Sequence, residues 1–379
     1  MREVVIVDGV RTAIARGGQD RSFFRDVRGD ELAARCLRAL LGRNPKVSPD
    51  TIEDVILGCA NQSGEQGLNL GRMVALLAEL PVEVAGTTVD RQCGSGLQAV
   101  NFAAQAIAAG AAECIIAGGV EHMTHVPMGS TFSPNPRLLE TFSPEIYLMG
   151  MTAERLAALH GISRSESDTF ALRSHQRALA ARLRFAEEIV PVSLREGAIA
   201  DVDQGPRADT TLEKLAALKP SFKPDGQVTA GNSSQVSDGA ASLLLMSMER
   251  ARSLGLAPIA RIRATAVAGV SPELMGWGPV PATRKALARA GLQISDLDLV
   301  EINEAFAAQV LACNRELRID EERMDVNGGA VALGHPLGCS GARLMVTLVH
   351  EMRRRGVRLG LVTMCIGLGQ GIATIVEQV

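Results

Sequence analysis

The sequence predicts an α/β protein made of two similar halves, and three observations support that expectation. Short runs rich in Val and Ile alternate with longer Ala- and Leu-rich stretches of helical spacing over most of the 379 residues. Glycine is abundant, at 38 residues, and aromatic residues make up only 3%, so we expect an aliphatic core with close backbone approaches. Finally, CGSGLQAVNFAAQAIAAGAAECIIAGG (93–119) matches CSGARLMVTLVHEMRRRGVRLGLVTMCIG (339–367) in order, which indicates an internal duplication.

In the first half, strands and helices are predicted in alternation. The strands are short, β-branched and bounded by glycine or polar turns: EVVIVDG (3–9), IEDVILGCA (52–60), GTTVDRQC (86–93) and ECIIAGG (113–119). The helices repeat apolar residues every three or four positions: DELAARCLRALLGR (30–43), GRMVALLAEL (71–80) and LQAVNFAAQAIAAG (97–110).

The second half repeats this pattern. Its predicted helices are ATRKALARAGL (282–292), AFAAQVLACNREL (305–317) and GARLMVTLVHEMRRRG (341–356). Its predicted strands are LDLVEINE (297–304), RLGLVTMCIG (358–367) and GQGIATIVEQV (369–379), of which the last two should pair.

The stretch between the halves differs in composition, being richer in Pro, Arg and Ser. It is too long for a loop, so we expect it to carry helices and to cover the functional site. The predicted domains are therefore an N-terminal half (1–120, completed by 238–257), a covering segment (121–237) and a C-terminal half (258–379).

Composition and charge exclude several classes of protein. The net charge of −3 gives no overall attraction to nucleic acid or to an anionic membrane. Seven cysteines without a CxxC pair indicate reduced thiols in a cytoplasmic compartment. The start MREVVIVDGVRTAI lacks the pattern of a signal or transit peptide. Polar residues and glycine interrupt the most apolar stretch, 99–120, so it predicts a buried helix and strand and no membrane span.

Cys93 directly precedes a Gly-Ser-Gly turn and a predicted helix, and three interpretations remain open. GSGLQA fits a dinucleotide-binding pattern, but it lies far from the first strand and lacks the expected acidic residue. A free cysteine is most often a small apolar core residue. At a helix N-terminus, however, unpaired N–H groups favour the thiolate, which makes Cys93 a candidate nucleophile.

Three later segments add candidate functional residues. GHPLGCSG places His335 in a glycine-rich turn before a helix, where a core histidine is rare. MCIGLGQG places Cys365 at the end of an apolar strand followed by three glycines. EINEAF places Asn303 and Glu304 at a strand-to-helix junction, where Asn303 is either an N-cap or a catalytic residue.

Together these motifs resemble the thiolase family, and the resemblance extends over nearly the whole chain. CGSG, NEAF, GHPLGCSG and CIG occur in the family's order, and VTAGNSSQVSDGAA and GWGPVPA look like further family segments. The resemblance implies the thiolase fold, with two duplicated βαβαβαββ-like halves in a layered αβαβα arrangement and an inserted covering subdomain. It also implies exchange of an acyl group between a cysteine and coenzyme A.

The family's chemistry can be carried over onto five residues. By resemblance, Cys93 carries the acyl group, His335 accepts its proton, and Cys365 is the second acid/base. Asn303, through a bound water, and His335 would hold the thioester oxygen of the enolate. The N–H groups of Cys93 and Gly367 would form a second oxyanion hole over the acyl-enzyme.

Residues on the substrate side follow from the same resemblance. Ser234 matches a serine that contacts the pantetheine arm, and Arg207 matches an arginine near the nucleotide. His125, Met128 and Met149 are expected either to line the acyl pocket or to pack the covering segment. One departure from the family pattern is Leu148, which replaces a histidine of many biosynthetic members and weakens the case for a polar contact with coenzyme A there. Separately, His122 and His125 suggest a metal pair by their spacing, but the sequence offers no further convincing ligands.

The resulting expectation is a degradative 3-ketoacyl-CoA thiolase, an acyltransferase of fatty acid β-oxidation. CIGLGQGIATI, NSSQVSDG and EHMTHVPM favour it over the alternative, an acetoacetyl-CoA thiolase. A non-catalytic acyl-CoA-binding protein would not need Cys93, His335 and Cys365, and a decarboxylating ketoacyl synthase would carry a histidine in place of Cys365. No metal or redox cofactor is expected, since coenzyme A is a substrate. A homodimer or homotetramer is implied, with membership of a β-oxidation multienzyme left open.

Overall fold

The computed structural model describes residues 2–129 and 132–379, which form thirteen strands and twelve α-helices. The strands are β1 (Val4–Thr12), β2 (Ala15–Arg16), β3 (Asp54–Gly58), β4 (Ala85–Val89), β5 (Cys114–His122), β6 (Ile189–Val190), β7 (Val192–Ser193), β8 (Ile199–Ala200), β9 (Ser237–Ser247), β10 (Ala260–Gly269), β11 (Leu299–Ile302), β12 (Leu359–Ile366) and β13 (Gln370–Gln378).

The α-helices connect these strands and cover them. They are α1 (Gly29–Arg43), α2 (Leu70–Leu77), α3 (Ser95–Ala109), α4 (Leu138–Thr141), α5 (Met149–His160), α6 (Arg164–Ala181), α7 (Leu212–Ala216), α8 (Met248–Ser253), α9 (Pro279–Ala290), α10 (Ala307–Leu317), α11 (Ala330–Leu333) and α12 (Leu337–Arg355). No helix in the described ranges is long and apolar enough to span a bilayer.

The strand order shows that the two halves are duplicates. In the first half β3, β5, β9 and β1 are neighbours in that order, and in the second half β11, β12, β13 and β10 follow the same order. The first pair of each set is parallel and the next two pairings are antiparallel. A short antiparallel pairing of β1 with β10, Val5 opposite Arg261 and Ile6 opposite Ala260, joins the halves edge to edge. The duplicated α/β architecture expected from the sequence is therefore confirmed.

Helices α3 and α12 occupy equivalent places in the two halves and pack against each other in one apolar core. Every residue of α12 from 337 to 352 is buried, as expected for a helix enclosed on all sides. The helix predicted over 341–356 begins four residues earlier, at Leu337. This central pair of helices brings the two N-terminal ends, each next to a candidate catalytic residue, close together.

The insertion lies between β5 and β9 of the first half, whereas the equivalent strands β12 and β13 are joined by a turn of three residues. As expected, this covering segment carries helices, among them α5 and α6. A capping box at Ser163 and Glu166 begins α6. Helices α5 and α6 both pack against α10 of the second half. The insertion therefore closes over the loops that follow β11.

Candidate active site

Cys93 follows a sharp turn that the backbone makes between β4 and α3. The predicted strand 86–93 ends at Val89, because Gln92 adopts a left-handed conformation with φ of 46°. Ser95 accepts a hydrogen bond from the Arg91 N–H with its hydroxyl oxygen and donates to the Gln92 carbonyl. Gly94 is the N-cap of α3, so Cys93 lies directly in front of the helix. This turn presents the thiol beside the unpaired N–H groups of the helix.

The environment of Cys93 keeps it a thiol in the resting protein. Burial raises the pKa of Cys93 to about 11, although the N–H groups of Gly367 and of Cys93 itself point to the sulfur and oppose the rise. Glu121 and Asp90 raise this pKa further through their negative charges. Attack by Cys93 therefore requires a base that removes the proton as the reaction proceeds.

The start of α3 leaves no room for a dinucleotide. A Cβ atom on Gly96 would lie 2.5 Å from the Gly338 carbonyl oxygen, and one on Gly94 would lie 2.5 Å from the Ile366 side chain. Because protein atoms pack directly on the first turn, a pyrophosphate cannot approach these N–H groups in the manner of a dinucleotide fold. The dinucleotide alternative is therefore excluded.

The turn between β12 and β13 brings Cys365 and Gly367 to Cys93. Ile366 pairs with Gln370, and the three residues between them include Leu368 and Gly369 with φ values of 62° and 79°. This tight turn brings the Gly367 N–H close enough to Cys93 to lower the pKa of its thiol. The glycine-rich sequence after Cys365 thus creates a donor, which is the feature that an oxyanion hole needs.

Cys365 is buried in a small apolar cluster under the covering segment. Its neighbours there are Met275 and Phe306 among others, with the partly buried Met149 packed against them. Burial raises the pKa of Cys365 well above its ordinary value, and the nearby Cys93 and Cys313 raise it further. The two candidate catalytic cysteines therefore lie close enough to influence each other's ionisation.

The hydrogen bonds of His335 define which ring nitrogen is available as a base. Ser340 donates its hydroxyl proton to the Pro336 carbonyl at 2.8 Å, so it accepts from His335 Nδ1, 2.6 Å away. Nε2 is then unprotonated, and Asn303 Nδ2 donates to it at 3.3 Å. Burial, followed by the charge of Arg343, lowers the pKa of His335 to about 3. The imidazole is therefore neutral and has a free lone pair on the side of Asn303.

Asn303 is not a helix cap. It follows β11, and the next helix, α10, starts only at Ala307 with Phe306 as its N-cap. In the described part of the chain Asn303 Oδ1 is buried without a hydrogen-bond partner. An amide held against the His335 ring in this way fits the catalytic interpretation of the NEAF motif and excludes the capping one.

Glu304, the second residue of that motif, fixes the loop to its surroundings. Its carboxylate accepts hydrogen bonds from the Ser174 hydroxyl at 2.6 Å and from the Val331 N–H at 3.0 Å. Burial raises the pKa of Glu304, and these two donors oppose the rise. Glu304 thus links the loop after β11 to α6 and α11, and it positions Asn303 without belonging to the reacting group.

Two of the substrate-side candidates border the catalytic cluster. Ser234 donates its N–H to the Ala305 carbonyl at 3.0 Å, so the 231–234 segment runs along the NEAF loop. Met149 starts α5 and packs on the cluster that contains Cys365. Met128, by contrast, is 58% exposed and follows the end of β5.

Arg207 lies in a cluster of positive charge. It is exposed, and its N–H donates to His175 Nδ1 at 3.2 Å. Burial, then repulsion from Arg207 and Arg16, lowers the pKa of His175 to about 4. Burial lowers the pKa of Arg16, and the positive charges of Arg207 and Arg21 lower it further. Three guanidinium groups and the Asp209 carboxylate therefore share one region of the surface.

His125 is held by the first half. Its Nδ1 lies 3.0 Å from Glu65 and its Nε2 lies 2.9 Å from the Arg25 carbonyl, and the ring stacks on His122 at 4.0 Å. Burial lowers the pKa of His125, but its hydrogen bonds to the Arg25 carbonyl and to Glu65 raise the pKa above the ordinary value. Glu65, which the sequence did not reveal, lies with His122 and His125, their ligand atoms within 4.8 Å of one another, and is a third group able to contact a metal ion.

Ser340, Gln92 and Glu121 belong to the site but were not predicted from the sequence. A signal existed for Ser340, because it follows His335 by five residues within the same GHPLGCSG motif. No local pattern distinguishes Gln92 or Glu121. The role of Gln92 depends on its left-handed backbone, and that of Glu121 depends on its hydrogen bond with the distant Gly338 N–H.

Comparisons with known proteins agree with this geometry. The family models "Thiolase, N-terminal domain" and "Thiolase, C-terminal domain" match residues 4–249 and 256–378. Proteins named 3-ketoacyl-CoA thiolase from Aeromonas salmonicida (strain A449) and Cronobacter sakazakii (strain ATCC BAA-894) are 51% and 52% identical over 391 aligned positions, covering 100% of both chains. The crystal structure of the Bacillus anthracis acetyl-CoA acetyltransferase superposes with a TM-score of 0.92 at 43% identity, covering 100% of this chain and 99% of that one.

The family models together span nearly the whole chain, and the sequence relatives match it from end to end. The four motifs expected to carry the chemistry lie at the start of α3, after β11, at the start of α12 and at the end of β12. The chain therefore belongs to the thiolase family.

Proposed function

We propose that the protein is a 3-ketoacyl-CoA thiolase, which cleaves 3-ketoacyl-CoA with coenzyme A into acetyl-CoA and a shortened acyl-CoA. The observation that carries this proposal is the convergence of two cysteines, a neutral histidine and a buried asparagine from the ends of β4, β11 and β12 and the turn before α12. A protein that only bound acyl-CoA would have no use for this set. The names of its full-length relatives support the same substrate class.

In the first half-reaction Cys93 forms the acyl-enzyme. His335 Nε2 accepts the thiol proton as sulfur attacks the 3-keto carbon, and the bond between C2 and C3 breaks. Cys365 donates its proton to the resulting enolate, which leaves as acetyl-CoA. Asn303 and His335 hold the enolate oxygen, and the N–H groups of Cys93 and Gly367 hold the oxygen on the 3-keto carbon.

In the second half-reaction coenzyme A removes the acyl group. The Cys365 thiolate left by the first step takes the proton of the coenzyme A thiol, which then attacks the acyl-enzyme. The acyl-CoA leaves, Cys93 departs as a thiolate and recovers its proton from His335. Only acyl groups and protons move, so the reaction needs no redox cofactor and no metal, with coenzyme A acting as a substrate.

The acyl chain is proposed to extend along the apolar cluster beneath the covering segment. Methionines such as Met149 and Met275 fill that region beside Cys365, and such side chains shift easily to admit an alkyl chain. Each buried methylene is worth about 0.8 kcal/mol, or roughly a fourfold gain in binding.

We expect kcat/KM for thiolysis to hold or rise as the substrate lengthens from about four to about eight acyl carbons. The measurement is a thiolysis assay across 3-ketoacyl-CoA chain lengths. A steep fall beyond four carbons would favour the second candidate, an acetoacetyl-CoA thiolase, whose chemistry is the same and which the Bacillus anthracis neighbour supports by its name.

Arg207 is proposed to bind the phosphates at the nucleotide end of coenzyme A, with Ser234 nearer the pantetheine arm. The guanidinium groups of Arg16 and Arg21 near Arg207 provide the positive charge that such an anion requires. We expect Arg207→Ala to raise KM for coenzyme A about tenfold while kcat changes little, because the contact is lost equally from ground and transition states. Arg284→Ala on α9, another exposed arginine, should leave KM unchanged.

We further propose a homodimer. Strand β4 lies at one edge of the sheet and is partly exposed, and apolar side chains are exposed around it: Leu68, Met73, Leu76, Leu77, Val82 and Phe102. An open edge strand with such a border is suited to pair with a second copy. A solution mass equal to the 40.0 kDa of a single chain would contradict this. A homotetramer and a β-oxidation partner subunit are proposed from the resemblance, and a cytoplasmic location is proposed from the seven cysteines without a CxxC pair.

A further inference from the structure

We propose that Glu121 is a positioning residue of this site: its buried carboxylate holds the His335 loop against the loop beside Cys93 and places a fixed negative charge near the nucleophile. The inference rests on the proposed function, because it concerns how the reacting residues are held. Glu121 is the penultimate residue of β5 and is fully buried.

Hydrogen bonds from three segments converge on this carboxylate. Oε1 accepts from the Asn61 N–H at 3.0 Å, from the Asn61 side-chain amide at 3.1 Å and from Gln66 Nε2 at 3.1 Å. Oε2 accepts from the Ala60 N–H at 2.9 Å and from the Gly338 N–H at 2.8 Å. Every partner is a donor, which is the pattern of an ionised carboxylate.

The bond to Gly338 ties Glu121 to the candidate base. Gly338 is the second residue of α12, and its N–H is one of the groups left without a partner inside the helix. A carboxylate at this position is also favoured by the helix dipole. Since His335 lies three residues before Gly338, the bond anchors the turn that carries the imidazole to the first half of the protein.

The same carboxylate is linked to the nucleophile through the loop after β3. The Cys59 N–H donates to the Val89 carbonyl at the end of β4, four residues before Cys93. A Cβ atom on Gly58 would lie 2.3 Å from the Gly96 nitrogen, so this loop packs directly on the first turn of α3. Glu121 therefore links the start of α12 to the loop after β3, and this loop packs against the start of α3.

The negative charge of Glu121 has a second effect, which can be measured separately from the effect of its hydrogen bonds. Two carboxylates raise the pKa of Cys93, Glu121 on β5 and Asp90 after β4. The other titratable groups facing this thiol in the proposed site are Cys365 on β12 and the neutral His335 before α12. Around Glu121 itself lie the thiols of Cys59 and Cys339. Removing the Glu121 charge therefore makes the Cys93 thiolate easier to form, even though the catalytic geometry is damaged.

The test is Glu121→Gln in the full chain, with two readouts. We expect kcat for thiolysis to fall about 100-fold, because loss of the Gly338 anchor misplaces His335. We also expect iodoacetamide to alkylate Cys93 faster in this variant than in the wild-type protein at a fixed mildly alkaline pH. Peptide mass mapping measures the modification of Cys93. Six of the seven cysteines are buried and Cys93 is half-buried, so the reaction is selective in the folded protein.

Two further variants separate positioning from stability. Glu351→Gln removes an equally buried carboxylate of α12, 16 residues beyond His335, and should lower Tm without changing kcat or alkylation. Glu121→Asp keeps the charge but withdraws it from Gly338, so kcat should fall at least tenfold at an unchanged alkylation rate. This variant also tests the proposal if Glu121→Gln does not fold.

Some outcomes would overturn the inference. Glu121→Gln with kcat within twofold of the wild-type value would show that the anchor is dispensable. In Glu121→Gln, a loss of kcat at an unchanged alkylation rate would reduce Glu121 to a structural residue, because the removed charge would then have no effect on Cys93. If the wild-type protein shows no thiolysis, the proposed function fails, while the alkylation rates still decide whether Glu121 acts on Cys93.

Discussion

Cys93→Ala should reduce thiolysis by at least about 10⁴-fold, because no other group can carry the acyl chain while the carbon–carbon bond breaks. The thiol lies in front of α3, where the Gly367 N–H opposes the effect of burial on its pKa. Incubation of the wild-type protein with acetoacetyl-CoA, followed by peptide mass mapping, should find an acetyl group on Cys93. The Cys93→Ala protein should remain unmodified.

A matched control for this substitution is Cys114→Ala. Cys114 is buried at the start of β5, away from the turn that holds Cys93. Its replacement should lower Tm slightly through a small cavity and leave thiolysis intact. Acetyl found on Cys365, with none on Cys93, would reverse the roles assigned to the two cysteines.

Cys365→Ser should separate the two half-reactions. The variant keeps Cys93, and coenzyme A can leave as a stable thiolate without a proton from residue 365, so the variant should still accept an acyl group from acyl-CoA. Cleavage and formation of the carbon–carbon bond should slow by about 10²–10⁴-fold, because the enolate is a much poorer leaving group. A serine hydroxyl is a far weaker acid than a thiol, so proton donation to the enolate becomes difficult. Mass mapping of the acyl-enzyme and the thiolysis assay measure the two steps independently.

The control for this second prediction is Cys313→Ser. Cys313 lies near Cys365 but donates its thiol proton to the Gly276 carbonyl at 3.1 Å, outside the reacting group. We expect this variant to lose some stability and to keep both half-reactions. Turnover near the wild-type rate in Cys365→Ser would remove Cys365 from the mechanism.

Much of the fold follows from local patterns. Alternating β-branched and helical segments predicted strands and helices that the structure contains, with boundaries differing by a few residues, as at Val89 and Leu337. The match of two helix–strand segments predicted the duplication, and the sheet order confirms it. Such features depend on residues close in sequence, so a single chain is enough to reveal them.

The residue types of the site were also evident, because chemically unusual residues stand out in their local setting. A cysteine before Gly-Ser-Gly, a histidine between Gly and Pro, and a cysteine before repeated glycines each identified a loop. The sequence could not decide whether Asn303 caps a helix. The structure decided this, since α10 starts at Ala307 and Asn303 contacts His335 instead.

The sequence by itself therefore determined the α/β class, the duplication, the covering insertion and the identity of Cys93, His335 and Cys365 as candidates. Tertiary structure alone decided how these residues are held and ionised. Ser340 orients the imidazole, burial sets the pKa values, and Glu121 meets the Gly338 N–H across 217 residues of sequence. The physical reason is that hydrogen bonding and desolvation depend on which atoms the fold brings within a few ångströms, and a local pattern contains no record of those distances.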